Sequence, residues 1–104
     1  MKSAPLYVTL DASGNGSVTF RAHKPLIAFV VRKVTVEAST TSAGTVTLFK
    51  NGAFLTSMPV ARRMEAHGDE RLYTSEFMTG QIQNGPRSEL IKFTFYYDEE
   101  PVNP

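Results

Sequence analysis

Two runs of β-branched and aromatic residues flank the dipeptide Asn51-Gly52 and give the chain its clearest local pattern. Asn-Gly tolerates the positive φ angles of a type I′ turn, so the pattern predicts a β-hairpin over residues 46–57. Its expected register places Lys50 opposite Ala53, Phe49 opposite Phe54, Leu48 opposite Leu55, and Thr47 opposite Thr56. Both faces of this hairpin are then apolar, and both need to be covered.

Apolar and polar residues alternate along much of the remaining chain. The alternation predicts strands over residues 6–10, 17–22 and 90–98, with a turn at 11–16 between the first two. In the longest apolar run, 26–38, the apolar positions change parity. Ile27, Phe29 and Val31 share one parity, whereas Val34, Val36 and Ala38 share the other. A strand changes face only at a bulge, at a bend or where both sides are buried, so we expect a β-bulge near residues 31–33.

The remaining segments are predicted to form two connections, a short strand and a tail. Residues 39–44 have the composition of a small polar linker, and residues 59–71 are expected to form a long surface connection holding at most one helical turn. A short strand is expected near 72–78. The acidic, proline-rich end, residues 98–104, is predicted to be an extended tail that cannot continue a sheet. These patterns predict one all-β domain over residues 1–104, an antiparallel β-sandwich or jelly roll of six to eight strands.

Composition narrows the classes of function. The chain of 104 residues is long enough for one core, and it has no cysteine for a disulfide framework or a thiol nucleophile. Eleven basic and ten acidic residues are mixed along the chain, which argues against a nucleic-acid partner. No apolar stretch approaches a membrane span, and no signal-peptide core follows Met1. We therefore expect a product that is soluble at synthesis, with no membrane partner.

Candidate chemistry is sparse. His23 and His67 lie far apart, and neither has a partner at metal-ligand spacing, so no metal site is expected. The turn at 14–16 lies between two strands and not before a helix, which argues against a phosphate loop. No nucleophile elbow is present. The sequence predicts no catalytic residue and no cofactor, and hence a protein that is not an enzyme.

Aromatic and basic residues supply the candidate binding site. Phe49 and Phe54 are predicted to form an aromatic pair on the outer side of the hairpin, where it would serve as an association site; the alternative is that both belong to the core. Arg62 and Arg63 lie in the 59–71 segment, which is a candidate assembly loop. Tyr7 and Tyr96 have outward parity, so they are either a platform for stacking on sugars or ordinary stabilisers of the sheet.

Several of these segments together resemble a known group of proteins. They are the strand Val31-Arg32-Lys33-Val34-Thr35-Val36, the Ser/Thr-rich linker, the hairpin at 45–52 and the closing strand Phe93-Thr94-Phe95-Tyr96-Tyr97-Asp98-Glu99. Over residues 27–99 the chain is similar to small β-sandwich virion proteins of tailed bacteriophages, found as capsid decoration, neck and minor tail components. It departs from them at 84–88, where related modules have a glycine-rich loop, and the outer loops are therefore expected to make a different contact.

The resemblance implies a non-enzymatic structural protein of a phage particle, made in the bacterial host cytoplasm and localised to the virion. Its expected partners are other virion proteins, such as the major capsid or tail proteins, and it is expected to be a homo-oligomer or to be present in many copies. A second hypothesis is a carbohydrate- or receptor-binding β-sandwich that uses Tyr7 and Tyr96. A third is an accessory or inhibitor domain of a small hydrolase.

Overall fold

Alternating side chains form eight strands in the computed structural model, which describes residues 1–38 and 44–102. Most of the predicted polar linker, residues 39–43, lies outside the described residues, as do residues 103–104. The strands are β1 (Lys2–Thr9), β2 (Gly16–Arg21), β3 (Ile27–Glu37), β4 (Thr45–Lys50), β5 (Ala53–Pro59), β6 (Arg63–Leu72), β7 (Phe77–Gln83) and β8 (Leu90–Pro101).

The strands form two four-stranded sheets that pack face to face, in the orders β1-β8-β3-β6 and β2-β7-β4-β5. All neighbouring strands are antiparallel. The pairings β4 with β5, β3 with β6, β2 with β7 and β1 with β8 are nested, as in one long hairpin rolled up on itself. This is the topology of a jelly roll. The predicted all-β class, an antiparallel β-sandwich or jelly roll of six to eight strands, is confirmed.

The core lies between the two sheets and is built from the inward alternate residues of each strand. Phe20 from one sheet stacks on Phe95 from the other, with ring centroids 5.0 Å apart. Close approach elsewhere depends on Gly80, where a Cβ would lie 2.4 Å from the ring of Phe93. The largest fully buried side chains include Phe29, Phe93, Phe95, Leu72, Met78 and Ile82.

The bulge predicted near residues 31–33 is confirmed. The pairing of β3 shifts between Val31 and Lys33 against both of its neighbours, β6 and β8. Because of this shift, Val31 and Val34 both join the core although they occupy positions of opposite parity. The bulge therefore keeps both halves of a long apolar strand directed inward.

The hairpin at Asn51-Gly52 is also confirmed, with φ angles of 50° and 84° at the two turn residues. Lys50 pairs with Ala53 and Phe49 with Phe54, as expected. The rest of the predicted register is wrong, because Leu48 pairs with Thr56 and Thr47 with Ser57. Leu55 is the extra residue of a bulge that shifts the register between Leu48 and Phe49.

Three predictions about the irregular segments are wrong. Residues 63–71 of the expected surface connection belong to β6, which pairs with β3. The strand expected near 72–78 is β7, which begins at Phe77. The tail expected from residue 98 instead continues β8 to Pro101, with Asp98, Glu99 and Glu100 paired opposite Val30, Phe29 and Ala28.

Candidate functional site

The outward side of the β2-β7-β4-β5 sheet, called here the open face, has little charge. Its outward positions alternate with core residues such as Phe20, Met78 and Leu48. The outward residues of the four strands are mostly Ser, Thr, Gln and Phe, and Arg21 is the single charged side chain among them. Its guanidinium lies 4.8 Å from the centre of the Phe77 ring. Because its outward side chains are almost all uncharged, they form no network that covers the sheet. The face therefore leaves apolar surface accessible.

Phe49 and Phe54 lie side by side on the open face, as their predicted pairing requires. Their ring centroids are 6.5 Å apart and the rings are nearly perpendicular, at 81°. Phe54 keeps 63% of its surface exposed, and Phe49 is half-buried. The turn that joins their strands is fixed to β7 by Asn51, whose Oδ1 accepts a hydrogen bond from the Phe77 amide at 3.0 Å. The aromatic pair is therefore presented by an anchored hairpin.

The outward side of the other sheet, β1-β8-β3-β6, is called here the charged face, and it contrasts with the open face. Arg32, the extra residue of the β3 bulge, donates to Asp69 at 2.6 Å, Asp98 at 3.1 Å and Glu100 at 3.2 Å. Arg71 donates to the second oxygen of Glu100 at 2.6 Å. The hydrogen bonds to Asp69 and then Asp98 raise the pKa of the Arg32 guanidinium. This network pairs Asp98 and Glu100, at the acidic end of β8, with two arginines.

Ion pairs continue along the β6 edge of the charged face. Arg63 lies 3.2 Å from Glu65 and 3.9 Å from Glu37. The Nε2 atom of His67 is within hydrogen-bond distance of the Glu65 carboxylate, at 3.3 Å. Hydrogen bonds from Arg63, and then from His67, lower the pKa of the Glu65 carboxyl. Thr35 lies among these side chains with no exposed surface, and its hydroxyl has no hydrogen-bond partner. The charged face thus pairs many of its charged groups with one another, whereas the buried Thr35 hydroxyl has no hydrogen-bond partner.

The structure separates the predicted site residues into two groups. Phe49 and Phe54 share the open face, whereas Arg63, Tyr7 and Tyr96 lie on the charged face. Arg62 is exposed and immediately precedes β6. An assembly site that combines Phe49 and Phe54 with both arginines is therefore not formed on one surface.

Tyr7 and Tyr96 are both outward, as their parity predicts, but they do not form a two-ring platform. Tyr7 pairs with Lys92 and Tyr96 with Ser3, so the rings are four residues apart along the sheet, about 13 Å. A lysine also approaches each ring. The Lys33 amine is 4.5 Å from the Tyr96 centroid, and the Lys92 amine is 6.0 Å from that of Tyr7.

A cavity that the sequence did not predict, called here the edge cavity, lies between edge strands β5 and β6. Its volume is about 150 Å³. The walls include apolar side chains from both sheets, and the ion pair between Lys50 and Glu70, 3.7 Å long, lies beside it. The bulges in β3 and β5 both border it. Only the β3 bulge was predicted from the sequence, where the apolar positions change parity.

The two histidines do not form a metal centre with acidic neighbours. Within residues 1–38 and 44–102, no group of three His, Cys, Asp or Glu side chains is placed to hold a metal ion. His23 contacts the edge of the Phe29 ring, with centroids 5.4 Å apart, and His67 contacts Glu65. In the same ranges the structure contains no helix of sufficient length and hydropathy to span a bilayer.

Known proteins offer little further guidance. No protein-family model matches the sequence, and no curated protein is similar to it. Among solved structures, the chain is similar to the insecticidal delta-endotoxin Cry8Ea1 from Bacillus thuringiensis, with 12% sequence identity and a TM-score of 0.43. The match covers 95% of this chain and 20% of that chain. The likeness is too weak to carry function, so a functional proposal depends on the residues and faces of this chain alone.

Proposed function

We propose that this protein is a non-enzymatic structural component of a bacteriophage virion, as capsid decoration or as a head-tail or minor tail protein. It attaches to the particle through the open face. The exposed Phe54 ring packed against Phe49 is the observation that carries this proposal, because an aromatic pair on a nearly uncharged sheet surface is typical of an association site. The jelly-roll topology, which viral capsid domains also use, and the sequence resemblance over residues 27–99 support the virion setting.

The aromatic pair offers only a small apolar surface, so the proposed attachment depends on many copies binding together. Burying one phenylalanine side chain contributes about 1.5–3 kcal/mol, and the loss of translational and rotational freedom on association offsets much of this. A single open face therefore binds weakly. Copies held on one lattice or in one oligomer gain avidity from their high effective concentration. The proposed partners are accordingly other virion proteins and further copies of this chain.

A carbohydrate- or receptor-binding function is the second candidate, because lectin domains also use the jelly roll and Tyr7 is 58% exposed. The separation of Tyr7 from Tyr96 restricts this candidate to a site with one ring. It predicts saturable glycan binding that is lost on substitution of the ring used. Attachment through the open face predicts no glycan binding.

Replacing both rings of the open face with charges tests the proposal. Phe49→Asp combined with Phe54→Asp is expected to leave a cooperative thermal transition, since the exposed side of the hairpin tolerates charge, and to abolish association. Association is measured by light scattering over a concentration series, for the protein alone and with phage particles that lack it. The matched control is Tyr7→Asp combined with Tyr96→Asp, which adds the same charge to the opposite face.

The two double variants separate the hypotheses. Loss of association in the Phe variant alone supports attachment through the open face. Loss in the Tyr variant alone, together with loss of glycan binding, supports the second candidate. Unfolding of the Phe variant would show that Phe49 and Phe54 belong to the core and would overturn the assembly site.

A further inference from the structure

The edge cavity lies where the two sheets are least closed. On one side of the sandwich, edge strands β1 and β2 contact each other, which closes the core there. On the other side, edge strands β5 and β6 leave a cavity of about 150 Å³ between the sheets. Its apolar lining is Val31, Val34, Leu48, Leu55, Ala66 and Met78.

Both bulges of the sandwich border this cavity. The pairing of β3 with β6 shifts between Val31 and Lys33. Both of these residues line the cavity, and so does Gly68 of β6. In β5, the extra residue Leu55 lines the opposite wall. A bulge bends its strand and redirects a side chain, and bulges are over-represented beside functional sites. Two bulges in different sheets therefore form one space, which argues against a random packing defect.

The chemistry of the lining selects an uncharged occupant. The charged and titratable residues of the lining already have partners. Arg32 binds three carboxylates, and Glu70 lies 3.7 Å from Lys50. The Lys33 amine lies over the Tyr96 ring, and His67 contacts Glu65. A charged ligand would have to break one of these pairs or enter an apolar space without a partner, which is costly. Thr56 adds one hydroxyl group to the wall.

We propose that the edge cavity is a binding site for one small, uncharged apolar molecule about the size of a benzene ring. An engineered, closed cavity of about 150 Å³ lined by Leu, Ile and Phe binds benzene in another protein. The edge cavity has a similar volume, but its apolar walls are aliphatic side chains and Met78, and it opens between β5 and β6. Binding leaves the open face free, so this inference is independent of the proposed virion function. The ligand enters between β5 and β6, past the ion pair of Lys50 with Glu70.

Titration of the ¹⁵N-labelled full chain with toluene, followed by NMR, tests the site. We expect saturable shifts at Leu48, Leu55, Ala66 and Met78, and none beyond solvent effects at the closed β1–β2 edge. Ala66→Ile fills the cavity and is expected to weaken toluene binding about tenfold or more, since it removes the space that the ring needs. The matched control is Ala4→Ile, the same change at an inward position of the opposite edge strand, and it should bind toluene like the native chain.

A linear, non-saturating response of the native chain would overturn the site, and so would equal affinities in Ala66→Ile and the native chain. Leu55→Phe fills the cavity from the other wall and replaces Ala66→Ile if that variant fails to fold. Retained toluene binding in a folded Leu55→Phe would likewise overturn the proposal. Loss of binding in either filled variant, with binding kept in Ala4→Ile, supports it.

Discussion

The two outer faces of this sandwich are built on the same strand geometry but differ in how far their side chains are paired and exposed. On the charged face, Arg32 alone holds three carboxylates, and even Thr35, in a central strand, has no exposed surface. On the open face, Thr79 of central strand β7 is half-buried, and Phe54 is 63% exposed. Long, paired side chains cover one sheet, whereas short polar and aromatic side chains leave the other accessible.

This difference shows that an outward position is not always an accessible one. Thr35 is surrounded by the outward positions of Lys33, Glu37 and Glu65, and it has no exposed surface. A partner approaching that face would have to displace ion pairs already formed. A partner approaching the open face would displace water from the rings of Phe49 and Phe54, which is favourable. The comparison therefore favours the open face over the charged face as the surface for the proposed attachment.

The largest effect is expected when a charge is placed at equivalent central positions of the two faces. Thr35→Asp buries a carboxylate opposite Glu65, while the nearby Lys33 amine is engaged over the Tyr96 ring. We expect a loss of about 3–5 kcal/mol in the free energy of unfolding, as for an uncompensated buried charge. The matched Thr79→Asp should cost about 1 kcal/mol or less, the span of strand propensities. Urea unfolding of both variants measures the difference; equal costs would show that the two faces are equally covered.

A smaller effect of opposite sign is expected when the Thr35 hydroxyl is removed. The Oγ1 atom is buried with no hydrogen-bond partner, so it loses its water on folding and gains nothing in exchange. Thr35→Val keeps the shape of the side chain and is expected to stabilise the protein by about 1 kcal/mol. The same change at the half-buried Thr79 should leave stability nearly unchanged. Thermal melting of the two valine variants checks this, and destabilisation by Thr35→Val would mean that the hydroxyl is satisfied.

Local patterns predicted the parts of the fold that depend on neighbouring residues. The parity change between Val31 and Val34 was sufficient to locate the β3 bulge, and Asn51-Gly52 was sufficient to locate the hairpin turn. The bulge at Leu55 was not predictable in this way, because Leu55 and Thr56 are each acceptable at an inward position. Which of them pairs with Leu48 depends on packing against the other sheet, so the register was predicted correctly only next to the turn.

The segments that were missed depend on distant partners. β6 has few large inward residues, and Gly68-Asp69 interrupts its alternation of apolar and polar residues. This interruption is where β6 accommodates the β3 bulge. The acidic end of β8 looked like a tail because three carboxylates in succession disfavour a sheet. Its cations, Arg32 and Arg71, lie 66 residues before Asp98 and 29 before Glu100. Pairing over such separations cannot be predicted from local alternation.

The smallest effect is expected in the pH dependence of the charged face. Hydrogen bonds from Arg63, and then from His67, lower the pKa of Glu65 below its ordinary value of 4.5. Since this carboxyl binds protons less readily in the folded state, its contribution to stability is present above pH 4.5 and is lost as the pH falls through the lowered value. Glu65→Gln should therefore be less stable than the native chain at neutral pH and should lose less stability on acidification.

Unfolding by urea at several pH values between about 6 and about 3 measures this contribution. Salt should reduce it, because the pair is solvent-exposed and screened. The outward positions of the open-face strands carry no carboxylate, so replacing Ser57 with Ala should leave the acid dependence unchanged. If Glu65→Gln and the native chain lose stability in parallel on acidification, the ion pairs of the β6 edge do not stabilise the folded state, and the charged face is merely solvated.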